Sequence, residues 1–400
     1  MANVSSSNGL EKYPKLRFKG FSEPWNAIRF GDIVDEYSDR TKEEDEDILL
    51  SAAIEGMFLN SELFDHQRGA SNKGYKKIGM GTLVLSTQNL HLGNANVNLR
   101  FEHGMVSPAY KTYHIHDCTI GLIAEWVKSE KAKRFFYDAT TVGASVCRRN
   151  VEWDTLYDQP LYLPSAEEQE RLAAFLSALS SRIKKQTELV EHLKKYKRGV
   201  YKSIFANSRL DCKWISLGEL CEIITKGTTP QSFLTEGTIR YIKIESIIDG
   251  HIVNENCKFI DQDTHEGALS RSILKEGDIL FSIAGSLGVC VIVQPSNLPA
   301  NTNQALAIIR LKETENRNYI LSVLRSSLME EYILASRTTG AQPNLSLQQM
   351  RDFKLPYPNS DEQQKIALLA ELMEKRLSFE QRKLEKLIDI KSALLQQLFI

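Results

Sequence analysis

Bond-making chemistry has little to work with in this chain. His114 and His116, two apart on a strand-like run, could face one way and hold a metal, but no third ligand comes into view. A solvated strand face is the plainer reading. There is no GxxxxGKS/T phosphate loop, no GxGxxG after a strand, no HExxH and no Asn/Asp-Pro-Pro-aromatic tetrapeptide. No catalytic residue stands out, so a non-enzyme is expected. What the chain does hold is Arg, Lys, Asn and Gln on turn-rich stretches, the residue types that would meet guanine and adenine edges if the chain binds DNA. The first half of the chain offers Lys73, Lys76 and Lys77 in a Gly-flanked stretch, then Gln88 and Asn89. It also offers Lys111 and Tyr113 after Ser107-Pro108, and Arg148 and Arg149 after a Thr-Thr-x-Gly turn. The second half offers Lys226, Thr228, Thr229 and Gln231, then Asn301, Asn303 and Gln304, and finally Arg337, Gln342 and Asn344. For each, the alternative is an ordinary exposed loop side chain.

Four hundred residues are too many for one ordinary core, so two domains are expected. The chain is 42% apolar and 25% charged, and no window is apolar for the ~20 residues that a membrane span needs. The first dozen residues read as a flexible tail with no signal-peptide core. The six cysteines form no CxxC pair, which suits a reducing cytoplasm. Net charge is −1, whereas a binder working by bulk charge is clearly basic. Charge is unevenly spread: −3 over residues 1–162, +4 over 163–206, −2 over 207–354 and 0 over 355–400. The densest basic run, KKYKR at 194–198, could meet a DNA backbone or an acidic partner; a solvated helix face is the alternative.

The elements that would position these residues are written twice. Aligning Glu168-Gln169 with Glu362-Gln363 gives an offset of 194 that holds without a gap to the end of the chain. Ile183, Val190, Leu193, Val200 and Ile204 in one copy match Leu377, Leu384, Leu387, Leu394 and Leu398 in the other. Their spacing is a heptad seam. Both copies place a lysine (Lys197, Lys391) and a polar residue (Gln186, Glu380) in that seam, which suggests duplication of one helix. Pro164 and Pro358 stop backward extension, and Ser165 with Glu168 reads as a capping box, repeated by Asn359 with Glu362 or by Ser360 with Gln363. Each helix runs about 40 residues, or roughly 60 Å.

The preceding segments correspond too. WNAIRFGDIVDE from Trp25 matches WISLGELCEI from Trp214, and KKIGMGTLVLS matches LKEGDILFS as a Gly turn into an apolar strand. One helix is expected near the end of each globular part, in IGLIAEWVKSEKAKRFF and YILSVLRSSLMEEYILAS. The expected architecture is α+β: two similar mixed α/β globular units joined by two long helices in an antiparallel coiled coil, related by an approximate twofold axis. Boundaries fall at residues 1–162, 163–206, 207–354 and 355–400. Such a spacer suits duplex DNA with two different half-sites and an unread gap.

In order and motifs the chain resembles the specificity subunit of type I restriction-modification systems. The residues that carry this are Leu16-Arg17-Phe18, Gly20-Phe21 and Trp25; Leu163-Pro164 with Glu168-Gln169; and Trp214 with Leu217-Gly218. Gly227-Thr228-Thr229-Pro230, Thr339-Gly340-Ala341-Gln342-Pro343-Asn344-Leu345 and Leu355-Pro356 with Glu362-Gln363 complete the set. No single motif is specific; their order, given twice, is. The resemblance implies two target recognition domains on double-stranded DNA, two methyltransferase subunits that carry S-adenosylmethionine, and restriction subunits that use ATP and Mg. It implies no cofactor on this chain. The rival reading is a coiled-coil scaffold holding two protein-interaction domains, which the near-zero charge favours.

Overall fold

The computed structural model describes residues 12–64, 71–142, 149–205, 212–336 and 344–400. Arg148, Arg337 and Gln342 lie outside them, as does most of the expected N-terminal tail. The chain divides into two compact units, residues 1–186 with 383–400, and residues 187–382. Two unbroken helices, Ala166–Phe205 and Ser360–Leu398, each give one half to either unit.

In the first unit, strand Asn26–Arg29 pairs antiparallel with Pro160–Leu163, which leads directly to the first long helix. A short turn, Phe30–Ile33, passes the chain into a four-stranded sheet ordered Val34–Tyr37, Tyr110–Ile115, Leu83–Ser86, Ala95–Val97. Gly81, at φ +84°, makes the turn before its apolar strand. A hairpin, Leu50–Ala53 with Gly56–Leu59, and the pair Lys76–Gly79 with His103–Val106 complete the strands. The core joins Trp25, Phe30, Leu83, Trp126 and Phe136 to Leu172 and Leu176 of the first long helix and to Leu395 and Leu398 of the second. Each wholly buried side chain of this size contributes roughly 1.5–3 kcal/mol.

The second unit repeats the plan. Lys213–Ser216 pairs with Lys354–Tyr357, and a sheet follows in the order Cys221–Lys226, Leu306–Leu311, Ile279–Ser282, Cys290–Ile292. Gly277, at φ +82°, holds the matching turn. A three-stranded sheet, Lys258–Ile260, Ile239–Ile242, Ala300–Thr302, includes one parallel pairing. Its core takes Tyr201 and Phe205 from the end of the first long helix and Ala367 and Ala370 from the start of the second. In each unit the beginning of one long helix therefore shares a core with the end of the other, and the pair is antiparallel. Val190, Leu377 and Leu398 are buried in the seam, and Ile183, Leu193, Val200, Ile204, Leu384, Leu387 and Leu394 are half-buried.

Two expectations need correction. The single helix near the end of each globular part is two: Ile120–Trp126 then Glu130–Asp138, and Arg317–Leu324 then Ser327–Ala335. The break falls at Ser129 and Ser326, and Ser129 Oγ accepts from Ala132 N at 3.0 Å to cap the second helix of its pair. The first capping box is only half made. Ser165 Oγ accepts from Glu168 N at 3.4 Å, but the Glu168 carboxylate turns to Arg17, bound bidentately at 2.8 and 2.7 Å. The repeated Glu-Gln does its matched work through the glutamines: Gln169 Nε2 donates to Pro164 O, and Gln363 Nε2 to Pro358 O. Among the described residues no helix is long and apolar enough to cross a membrane.

Candidate nucleic-acid interface

In the second unit a tight backbone approach builds the site. Gly227 lies so close to the neighbouring strand end that a Cβ there would stand 1.8 Å from Thr302 O. Thr228 N donates to Thr302 O at 3.2 Å, and Tyr241 OH donates to Thr228 O at 2.9 Å. The loop 226–231 is thereby laid against the turn 303–305, and Thr229 bonds Gln304 directly. Ile283 N donates to Ala305 O, and Leu345 N donates to Ile283 O, which brings Asn344 to the same edge. Lys226, Thr228, Thr229, Gln231, Gln304 and Asn344 are exposed there, with Asn303 half-buried.

Three residues that sequence reasoning missed extend this surface. The Phe233 ring lies 5.1 Å from that of Tyr241 and carries Lys258 Nζ at 4.6 Å and Lys243 Nζ at 5.2 Å from its centroid. An aromatic ring flanked by two cations suits stacking and phosphate contact together. The three come from separate segments, and only the fold assembles them.

The first unit is built differently at the matching place. Its loop after strand Val34–Tyr37 is acidic and folds onto residues 72–77. Asn72 Nδ2 donates to Asp45 Oδ1 at 2.6 Å, Gly74 N donates to Thr41 O, and Lys77 pairs with Glu46. That pairing, led by the hydrogen bond from Lys77, holds the Glu46 carboxyl down at about 2. Lys73 is exposed on this loop. Lys111 is held by Glu36 at 2.7 Å and lies 4.1 Å over the Trp153 ring. Gln88 and Asn89 are exposed after strand Leu83–Ser86. Arg149 clamps Thr140 through Nε to Oγ1 and Nη2 to the carbonyl, both 2.7 Å, and lies over the Tyr137 ring.

Three sequence candidates are not available to a base edge. Lys76 is 5% exposed, and burial lowers its pKa. Tyr113 is fully buried; its hydroxyl meets Tyr157 OH at 2.9 Å, and burial pushes its ionisation up. Asn301 is fully buried and donates to Leu269 O at 2.9 Å and Ser272 Oγ at 3.1 Å. All three lie on strands and take the inward face, a choice that turn residues upstream do not reveal. The two histidines go separate ways as well. His114 stacks on Tyr37 at 4.0 Å, and His116 pairs with Asp117 and Asp35. Among the described residues no three His, Cys, Asp or Glu converge as metal ligands.

Residues 210–388 match the family model described as "Type I restriction modification DNA specificity domain". Across 384 residues the chain is 21% identical to the type I restriction enzyme MjaVIII specificity subunit of Methanocaldococcus jannaschii, covering 89% of this chain and 88% of that one. Residues 210–388 thus match a type I restriction modification DNA specificity domain, and most of the chain is similar to a type I restriction enzyme specificity subunit. Solved structures share the fold of this chain. The type I restriction-modification system S subunit from M. genitalium superposes with a TM-score of 0.60 at 17% identity, over 97% of this chain and 99% of that one. A chain from a study of complex assembly and conformational transition of the type I R-M system gives 0.57 at 16% identity, over 94% and 98%. The family model covers the second repeat, and the shared strand order of the two units carries the likeness to the first.

Proposed function

We propose that this chain is a specificity subunit that reads a bipartite, asymmetric site in double-stranded DNA, one half through each unit, with an unread gap that follows the length of the two long helices. It brings two methyltransferase subunits to that site, and restriction subunits join them. It does no chemistry itself; S-adenosylmethionine, ATP and Mg belong to those partners. The observation that carries the reading is the contrast between two loops at one topological position. After strand Cys221–Lys226 the loop is KGTTPQ, laid open beside Gln304; after strand Val34–Tyr37 it is acidic and closed on Lys77. Two readers on one fold with unlike chemistry demand unlike half-sites. Near-neutral units neutralise few phosphates, so the partner subunits supply most of the backbone clamp.

The test is the chain co-expressed with its methyltransferase, assayed by gel shift against random and genomic duplexes and by mapping of methylated adenines. A single two-part motif with unlike halves is expected. Sequence-independent binding, or no DNA binding by the assembled complex, would leave the scaffold reading in its place.

A further inference from the structure

Where each globular part meets the helix pair, one carboxylate stands among two cations, and the two repeats take it from opposite sides. In the first unit the helix break carries Lys128, whose Nζ donates to Ile54 O at 2.9 Å and Ala95 O at 3.1 Å. Glu125, on the preceding turn, accepts at Oε1 from Ser180 Oγ of the first long helix at 2.6 Å. Its Oε2 lies 2.6 Å from Lys391 Nζ of the second long helix, which also donates to Ser180 Oγ at 2.6 Å. Lys128 is within electrostatic reach of Glu55, and also of Lys391 and Glu125.

In the second unit the helix break carries Arg325, whose Nη2 donates to Cys290 O at 2.8 Å and Gly250 O at 3.3 Å. Here the carboxylate is Glu374, on the long helix. It lies 2.5 Å from Lys197 Nζ and 3.6 Å from Arg325 Nη1. The repeat makes the inversion plain. Lys197 corresponds to Lys391 and Ser180 to Glu374 at the long-helix offset of 194. Lys128-Ser129 corresponds to Arg325-Ser326, which sets Glu125 against Ser322. Ser322 lines the same cleft as Arg325 and Glu374 and turns its hydroxyl to Tyr319 O. Glutamate and serine have exchanged places between globular part and helix.

We infer that this inversion matches each globular part to the long helix that follows it, so that the two together, and not the globular part alone, form the module that can be exchanged between positions. A part bearing Glu125 fits a helix with serine at 180, and a part bearing Ser322 fits a helix with glutamate at 374. The seam lysine is common to both and discriminates nothing. Placed alone on the first helix, the second globular part would set Arg325 and Lys391 together with no carboxylate between them. The converse exchange would crowd two carboxylates. Both are repulsive elements of the kind that fixes partner choice. This inference is independent of what the units read, because its test is stability.

The test is a double-mutant cycle in the full chain: E125S, S180E and E125S/S180E. E125S is expected to melt at least about 2–4 °C below the parent, and adding S180E to recover most of that loss. S180E alone is expected to give no gain. If E125S yields no soluble chain, E125Q carries the same comparison, with E125Q/S180E expected to melt above E125Q. The inference is overturned if the double variant melts no higher than the single one, if E125S melts with the parent, or if S180E raises the parent as much as it raises E125S.

Discussion

Thr229 Oγ1 donates a hydrogen bond to Gln304 Oε1 at 2.5 Å, joining two loops that are 75 residues apart in the chain. The bond fixes the amide oxygen of an exposed Gln304, and a glutamine amide is a group that can meet an adenine edge. Q304A and T229V are therefore expected to leave folding stability within about 0.5 kcal/mol, as exposed substitutions usually do. They should weaken binding to the parental site by roughly 10-fold, since a base contact is worth about 1–3 kcal/mol. Methylation mapping should show relaxed sequence in one half of the motif only. Relaxation in both halves would remove this pair from the reading surface.

Gly227 sets that geometry. Its missing Cβ leaves room for Thr302 O, a backbone atom that cannot move aside. G227A is expected to push the loop off the strand end at a cost of about 1–3 kcal/mol and to abolish reading of the same half-site. Urea denaturation measures the first effect and methylation mapping the second.

Lys258 holds its ammonium beside the Phe233 ring. K258Q should weaken binding nearly equally across sequences and reduce the slope of log affinity against log salt by about 1. A change of motif instead of slope would make it a base reader.

In the proposed reading the length of the long helices sets the unread gap. Inserting one heptad into both keeps the seam in phase and adds about 10 Å, or roughly 3 bp of unread gap. An unchanged gap in the methylated motif would break the link between helix length and target.

Lys128 gives a pH dependence. Burial lowers its pKa from the ordinary lysine value to about 8 in the folded chain. Between about pH 8 and 10 the unfolded chain therefore binds more protons there than the folded one, and stability from this residue rises with pH. The difference in unfolding free energy between parent and K128M should grow across that window. A flat difference would mean that the ammonium stays charged in its cage of carbonyls.

Much of the architecture was legible because it was written twice. The offset of 194 aligned two helices, and the alternation of three and four picked out apolar positions on them, of which Val190, Leu377 and Leu398 are buried and the rest half-buried. The break at Ser129 and Ser326 was hidden because the apolar pattern keeps its phase through it. Site residues divided by a similar logic. Loop residues such as Gln231 and Gln304 are exposed as polarity suggests, whereas Lys76, Tyr113 and Asn301 occupy strand faces that polarity alone does not choose. Phe233, Lys243 and Lys258 stand in three segments with no common spacing, so nothing local marked them.

Leu16 N donates to Gln397 O at 3.0 Å, and Arg17 grips Glu168 beside it. Within one unit, the segment that precedes the first strand thus lies against the end of the second long helix. A chain rejoined between Leu16 and Gln397 and opened elsewhere is therefore expected to keep this contact. In the proposed reading, the order in which the two units are synthesised would then leave the recognised site unchanged.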